Sequence, residues 1–121
     1  MRYALLIYGD EAAWEAAGEA GRQQMYEEYG KYVAWLGERG WMRGAEELAS
    51  SKTATTVRVR EGKTLTTDGP FAETKEQLGG LFLIECDNLD QAIEAASMIP
   101  SSLEGSIEIR PLVDQPEEHD H

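Results

Sequence analysis

Two short runs, Tyr3-Ala4-Leu5-Leu6-Ile7-Tyr8 and Leu81-Phe82-Leu83-Ile84, constrain the fold of this chain more than anything else in it. Each is a strand in length and composition, yet neither alternates apolar with polar residues as a strand with one wet face does. Strands that are apolar on both sides belong where both faces of a sheet are covered. Any fold for this chain must therefore provide two covering layers.

The remaining segments supply one of them. Asp10-Glu11 opens a short helix carrying Trp14, with its acids near the positive end of the helix dipole, and Gly18 and Gly21 break it. Met25, Tyr29, Tyr32, Val33 and Leu36 recur at intervals of three or four, which predicts a helix over residues 22–39 with Gly40 as its carboxy-terminal cap. Residues 41–48 contain a second strand. Asn88-x-x-Gln91 forms a capping box for a helix bearing Ala92, Ile93 and Ala96, which Pro100 stops. Ser106 to Arg110 alternates cleanly and is a last strand with one wet face.

Residues 53–67, rich in Thr and Val, predict a β-hairpin with two competing registers. A two-residue turn at Glu61-Gly62 sets Arg58 opposite Leu65. A three-residue loop, Arg60-Glu61-Gly62, sets Val57 opposite Leu65 and keeps one face apolar, so it is the expected form.

In order, the elements give an α+β chain: a ferredoxin-like β-α-β-β-α-β protomer with an extra hairpin. Its helices cover one sheet face only. The simplest cover for the other is a second copy of the chain, sheet against sheet, which predicts a homodimer. At 121 residues the chain makes one domain, taken as residues 1–113, followed by an acidic tail over 114–121 that is expected to be disordered.

The net charge of -12, from 11 basic and 23 acidic residues, disfavours direct nucleic-acid binding and an anionic membrane surface. There is no apolar run near the ~18 residues of a membrane helix, and the amino terminus turns acidic too soon for a signal peptide. Cys86 is the sole cysteine, so no intrachain disulfide forms and a cytoplasmic setting fits best. Within its apolar strand Cys86 is a small buried hydrophobe rather than a nucleophile.

Candidate chemistry concentrates in Asp68-Gly69-Pro70-Phe71-Ala72-Glu73-Thr74-Lys75-Glu76, followed by Leu78-Gly79-Gly80. Gly69-Pro70 makes a rigid bend. Asp68 either accepts backbone hydrogen bonds ahead of that bend or serves as a carboxylate base. Phe71 is expected to plug the core. Lys75 is the only Lys or Arg between Lys63 and Arg110, a stretch with nine acids. It either pairs with Glu73 or Glu76 on the surface or clamps an anion or a developing oxyanion. Gly79-Gly80 allows close approach to a ligand, or a bulge entering the strand. Tyr8, Tyr29 and Trp14 line a cavity or belong to the core.

The chain has no P-loop, no dinucleotide glycine fingerprint and no Cys-x-x-Cys pair. Its only histidines, His119 and His121, lie in the tail, so no cofactor or metal is expected. Proton transfer would fall to Asp, Glu, Lys or Tyr.

The residue 68–76 segment with Leu78-Gly79-Gly80 closely resembles the signature of the DGPF branch of the YCII-related family. The likeness extends to Leu5-Leu6-Ile7-Tyr8-Gly9-Asp10, residues 53–60, Leu89-Asp90-Gln91-Ala92 and residues 106–111. It implies a dimeric α+β barrel of ferredoxin-like protomers. Relatives in the wider superfamily act on small, often aromatic, molecules, and the candidate ligand-binding residues in this chain are Tyr8, Gly69, Phe71, Glu73, Gly79 and Gly80. Some relatives carry a His-Asp pair, and here Asp68 matches the Asp while the histidine is missing. A further implication is a regulatory role tied to extracytoplasmic-function sigma factors. The resulting expectation is a ligand-binding or regulatory dimer. The alternative is a lyase- or isomerase-type enzyme with Asp68 as base and Lys75 as clamp.

Overall fold

The structure, a computed structural model, describes residues 1–114. The expected disordered tail beyond Asp114, with His119 and His121, lies outside the described residues. In chain order the elements are β1 (Arg2–Gly9), α1 (Glu11–Ala16), α2 (Gly18–Arg39), β2 (Met42–Glu47), β3 (Thr55–Arg60), β4 (Lys63–Asp68), β5 (Gln77–Glu85), α3 (Leu89–Ser97) and β6 (Ser106–Pro111), with single 3-10 turns at Ser51–Thr53 and Pro100–Leu103.

The main sheet has the order β2-β5-β1-β6, antiparallel throughout, and the α+β ferredoxin-like fold follows. The two strands without alternation, β1 and β5, are the central pair. On the helix face Tyr3, Leu5, Phe82 and Ile84 pack with Tyr32 and Leu36 of α2 and with Ala92, Ala95, Ala96 and Ile99 at α3. These residues form one buried cluster, and burial of apolar area is the main stabilising contribution. On the opposite face Ala4 pairs with Leu83 and Leu6 with Leu81, and among the described residues no helix or strand packs over them. Cys86 is buried, and burial pushes its thiol above the ordinary value, in keeping with a structural rather than a reactive role.

Local signals behave as their chemistry dictates. Asp10 accepts from the Ala12 amide at 2.9 Å and caps α1. Asn88 accepts from the Gln91 amide at 3.0 Å, while the Gln91 side chain reaches back to the Asp87 amide at 2.8 Å. Gly40 ends α2 in the left-handed region at φ 70. The break between α1 and α2 falls at Ala17 and Gly18, whereas Gly21 is inside α2.

Two expectations are corrected. The hairpin has the two-residue turn: Arg58 pairs with Leu65 and Arg60 with Lys63, and both Glu61 and Gly62 are left-handed, at φ 53 and 76. Such a turn matches the natural strand twist. The competing register rested on a buried hairpin face, but β3 and β4 form a separate sheet, with Val57 58% and Val59 59% exposed. Phe71, expected in the core, is 79% exposed. The bend before it is fastened to β3, by the Gly69 amide on the Ala54 carbonyl and the Thr56 hydroxyl on the Gly69 carbonyl, and not to the core.

Gly79 is the bulged residue of β5: Ile7 pairs with Gly80 and Tyr8 with Leu78. At Gly80 a Cβ would lie 2.9 Å from the Glu46 carbonyl oxygen, so only glycine lets β2 close on β5 there. Gly80→Ala should cost about 1–3 kcal/mol in urea unfolding. Gly30→Ala, in open space inside α2, should instead stabilise by about 1 kcal/mol.

Candidate functional site

Only Tyr32 and Leu36 of the 22-residue α2 are buried, both in its carboxy-terminal half. The amino-terminal half buries no residue and reaches the sheet through the Tyr26–Glu47 hydrogen bond. Between it, α1 and strands β1, β2 and β5 lies an open cleft of about 750 Å³. That is the size range of small-molecule sites.

Its floor is built by Ile7, Gly79, Gly80 and Phe82. Its helical wall carries Met25, Tyr26, Tyr29 and Val33, a stripe at helical spacing, and α1 adds Trp14. Trp14 meets Tyr26 edge to face, with centroids 5.7 Å apart and planes at 87°. Tyr29 stacks on Phe82 at 6.2 Å, and its hydroxyl shares a 2.7 Å hydrogen bond with Ser101. Burial raises the Tyr29 phenol above its ordinary value, with Ser101 opposing. Across the cleft the Tyr26 hydroxyl reaches both Glu47 carboxylate oxygens, at 3.1 and 2.9 Å. The hydrogen bond to Glu47 is the main cause that raises the Tyr26 phenol.

Short connections hold α1 in place at the cleft mouth. The Glu11 amide donates to the Gln77 side-chain oxygen at 3.0 Å. The Glu11 carboxylate accepts from the Ser51 amide at 2.7 Å and from the Ser51 hydroxyl. Thus α1 is joined both to the start of β5 and to the turn after β2. Charge on the lining is one-sided: Asp10, Glu11, Glu15 and Glu47 against Arg22.

The expected site residues separate into two places. Gly79 and Gly80 line the cleft, as do Trp14 and Tyr29. Tyr8 is not among the lining residues; its hydroxyl donates to Glu108 at 3.3 Å. The Glu108 carboxyl, held mainly by Arg110 at 2.6 Å, sits below the usual carboxylate range. Asp68 closes β4 opposite Thr55, and Gly69, Phe71, Glu73 and Lys75 follow on an irregular connection outside the lining. Apart from half-buried Gly69 these residues are exposed. Among the described residues neither Asp68 nor Lys75 forms an ion pair. The far end of the connection is fixed, with Glu76 accepting from the Ser106 hydroxyl at 2.8 Å and the Gln77 side-chain amide donating to the Thr74 carbonyl.

Tyr26, Glu47, Glu11 and Gln77 are the participants that sequence reasoning missed. Tyr26 neighbours Met25 in the helical stripe, and this was the one available signal. Nothing local marks Glu47 or Gln77, because their roles come from strand pairing distant in sequence.

An α+β ferredoxin-like domain with an aromatic cleft between its first helices and its sheet is the class that fold and site define. The model of the YCII-related domain matches residues 1–115. An uncharacterised protein of Rhizobium meliloti (strain 1021) is 37% identical over 116 residues, covering 93% of this chain and 92% of that relative. The chain belongs to the YCII-related family. No helix among the described residues is long and apolar enough to cross a membrane.

Proposed function

We propose that this chain is a small-molecule-binding protein that takes its ligand into the cleft between α1, α2 and the sheet. The observation that carries the proposal is the cleft itself, about 750 Å³ with Trp14, Tyr26, Tyr29 and Phe82 around it. Large apolar surfaces with a few fixed polar groups suit an aromatic or alicyclic ligand. Tyr26, Glu47 and the Tyr29–Ser101 pair are polar groups that orient it.

A second function, enzymatic, keeps Asp68 as base and Lys75 as clamp on the residue 68–76 connection. It is favoured by the anchoring of that connection at both ends, on β3 through Gly69 and on β6 through Glu76. Both groups are then presented to solvent from a fixed base.

The functional unit in this proposal is a homodimer. The centre of the open sheet face, Ala4, Leu6, Leu81 and Leu83 in register, is an apolar strip flanked by Glu46 and by the Glu108–Arg110 pair, and a second copy would cover it. Light scattering should give twice the 13.5 kDa chain mass, and a monomer at micromolar concentration would contradict it.

A thermal-shift screen of small aromatic and alicyclic metabolites tests the site, because a ligand that binds only the folded state raises its melting temperature. Ala45 lies opposite Phe82 on the cleft side and is exposed, so Ala45→Trp fills the space with a large uncharged side chain. Ligand-induced shifts should vanish in Ala45→Trp and persist in Asp68→Asn and Lys75→Ala. The reverse pattern would move the site to the residue 68–76 connection.

A further inference from the structure

Four carboxylates, Asp10, Glu11, Glu15 and Glu47, and one guanidinium border a cleft whose walls are aromatic, and the carboxylates are not equivalent. Glu46, opposite Leu81, turns to the other sheet face. Glu11 is engaged on both oxygens by Ser51, and Glu15 lies 3.9 Å from the Lys52 ammonium. Arg22 donates to the Glu15 backbone carbonyl at 3.3 Å. Among the described residues Glu47 receives a single donor, the Tyr26 hydroxyl, shared between its two oxygens. An ionised carboxylate has about four acceptor positions, so Glu47 has capacity for another donor. Directly opposite Gly80, it stands on the cleft side of β2.

We propose that the cleft selects a cationic ligand with an aromatic or similarly apolar body, whose ammonium or amidinium group sits on the Glu47 carboxylate. This inference rests on the cleft being the ligand site, as proposed above. Tyr26, whose hydroxyl is bound to Glu47, meets Trp14 with ring planes at 87°, and both line the cleft as a corner of two π systems. Aromatic faces attract cations, so the corner and the carboxylate favour the same sign of charge. An anionic ligand would meet these carboxylates with Arg22 as the one cationic lining residue among those described, the Lys52 ammonium lying with Glu15. The other nearby candidate for anion binding, Lys75, is not part of the lining.

Three probes of one shape decide the matter by calorimetry at low salt and neutral pH: tryptamine (cation), tryptophol (neutral) and indole-3-propionate (anion). Wild type should bind tryptamine roughly tenfold more tightly than either analogue, the size of one charge-assisted hydrogen bond. Glu47→Gln should bring tryptamine affinity down to that of tryptophol, and Ala45→Trp should abolish binding of all three. Equal or tighter binding of indole-3-propionate to wild type, or a tryptamine preference that survives Glu47→Gln, overturns the charge selection. In either case loss of binding in Ala45→Trp still locates the ligand in the cleft. Absence of binding by every probe overturns the cationic ligand. Binding that persists unchanged in Ala45→Trp overturns the cleft as well.

Discussion

The attachment of α2 at one end is the constraint from which the rest of this structure follows. Tyr32 meets Phe82 edge to face at 5.1 Å, and its hydroxyl donates to the Ala95 carbonyl of α3 at 2.7 Å. Burial drives that phenol far above its ordinary value, so it remains a neutral donor. Leu36, one turn later, is fully buried. Together they join the carboxy-terminal half of α2 to the sheet and to α3. The segment Gly18-Glu19-Ala20-Gly21-Arg22-Gln23-Gln24 has no large apolar side chain to continue that contact, so the helix separates from the sheet and the cleft opens.

Strand chemistry determines what faces the opening. The bulge at Gly79 and the missing Cβ at Gly80 keep the floor low and let β2 lie close to β5. The close approach carries Glu47 to the cleft side, within reach of Tyr26. Gln77, at the start of β5, supports the first residue of α1 and so positions Trp14. Residues 77–80 therefore build the cleft, while residues 68–75 project from the foot of a detached hairpin.

Much of this fold was legible in the sequence, and particular residues show why. The missing alternation in β1 and β5 marked them as strands with two apolar faces, and the structure makes them the central pair, with the helices over one face. The caps at Asp10, Asn88 and Gly40 acted locally and could be recognised locally. The hairpin register was misjudged because a shared apolar face was assumed for strands that have no core beneath them. Phe71 was misjudged in the same way, since an aromatic side chain says nothing about whether its segment reaches the core. For the cleft, Trp14, Tyr29, Gly79 and Gly80 were legible as candidates. Glu47 and Gln77 were not, because only the β2–β5–β1 arrangement brings them to the α1–α2 wall.

Amide hydrogen exchange along α2 tests the central claim most directly, because protection follows local packing and hydrogen bonding. One-ended docking predicts that amides of residues 22–26, which border the open cleft, exchange at least about tenfold faster than those of residues 32–36. Equal protection at both ends of the helix would contradict it, since the amino-terminal half would then be packed as firmly as Tyr32 and Leu36.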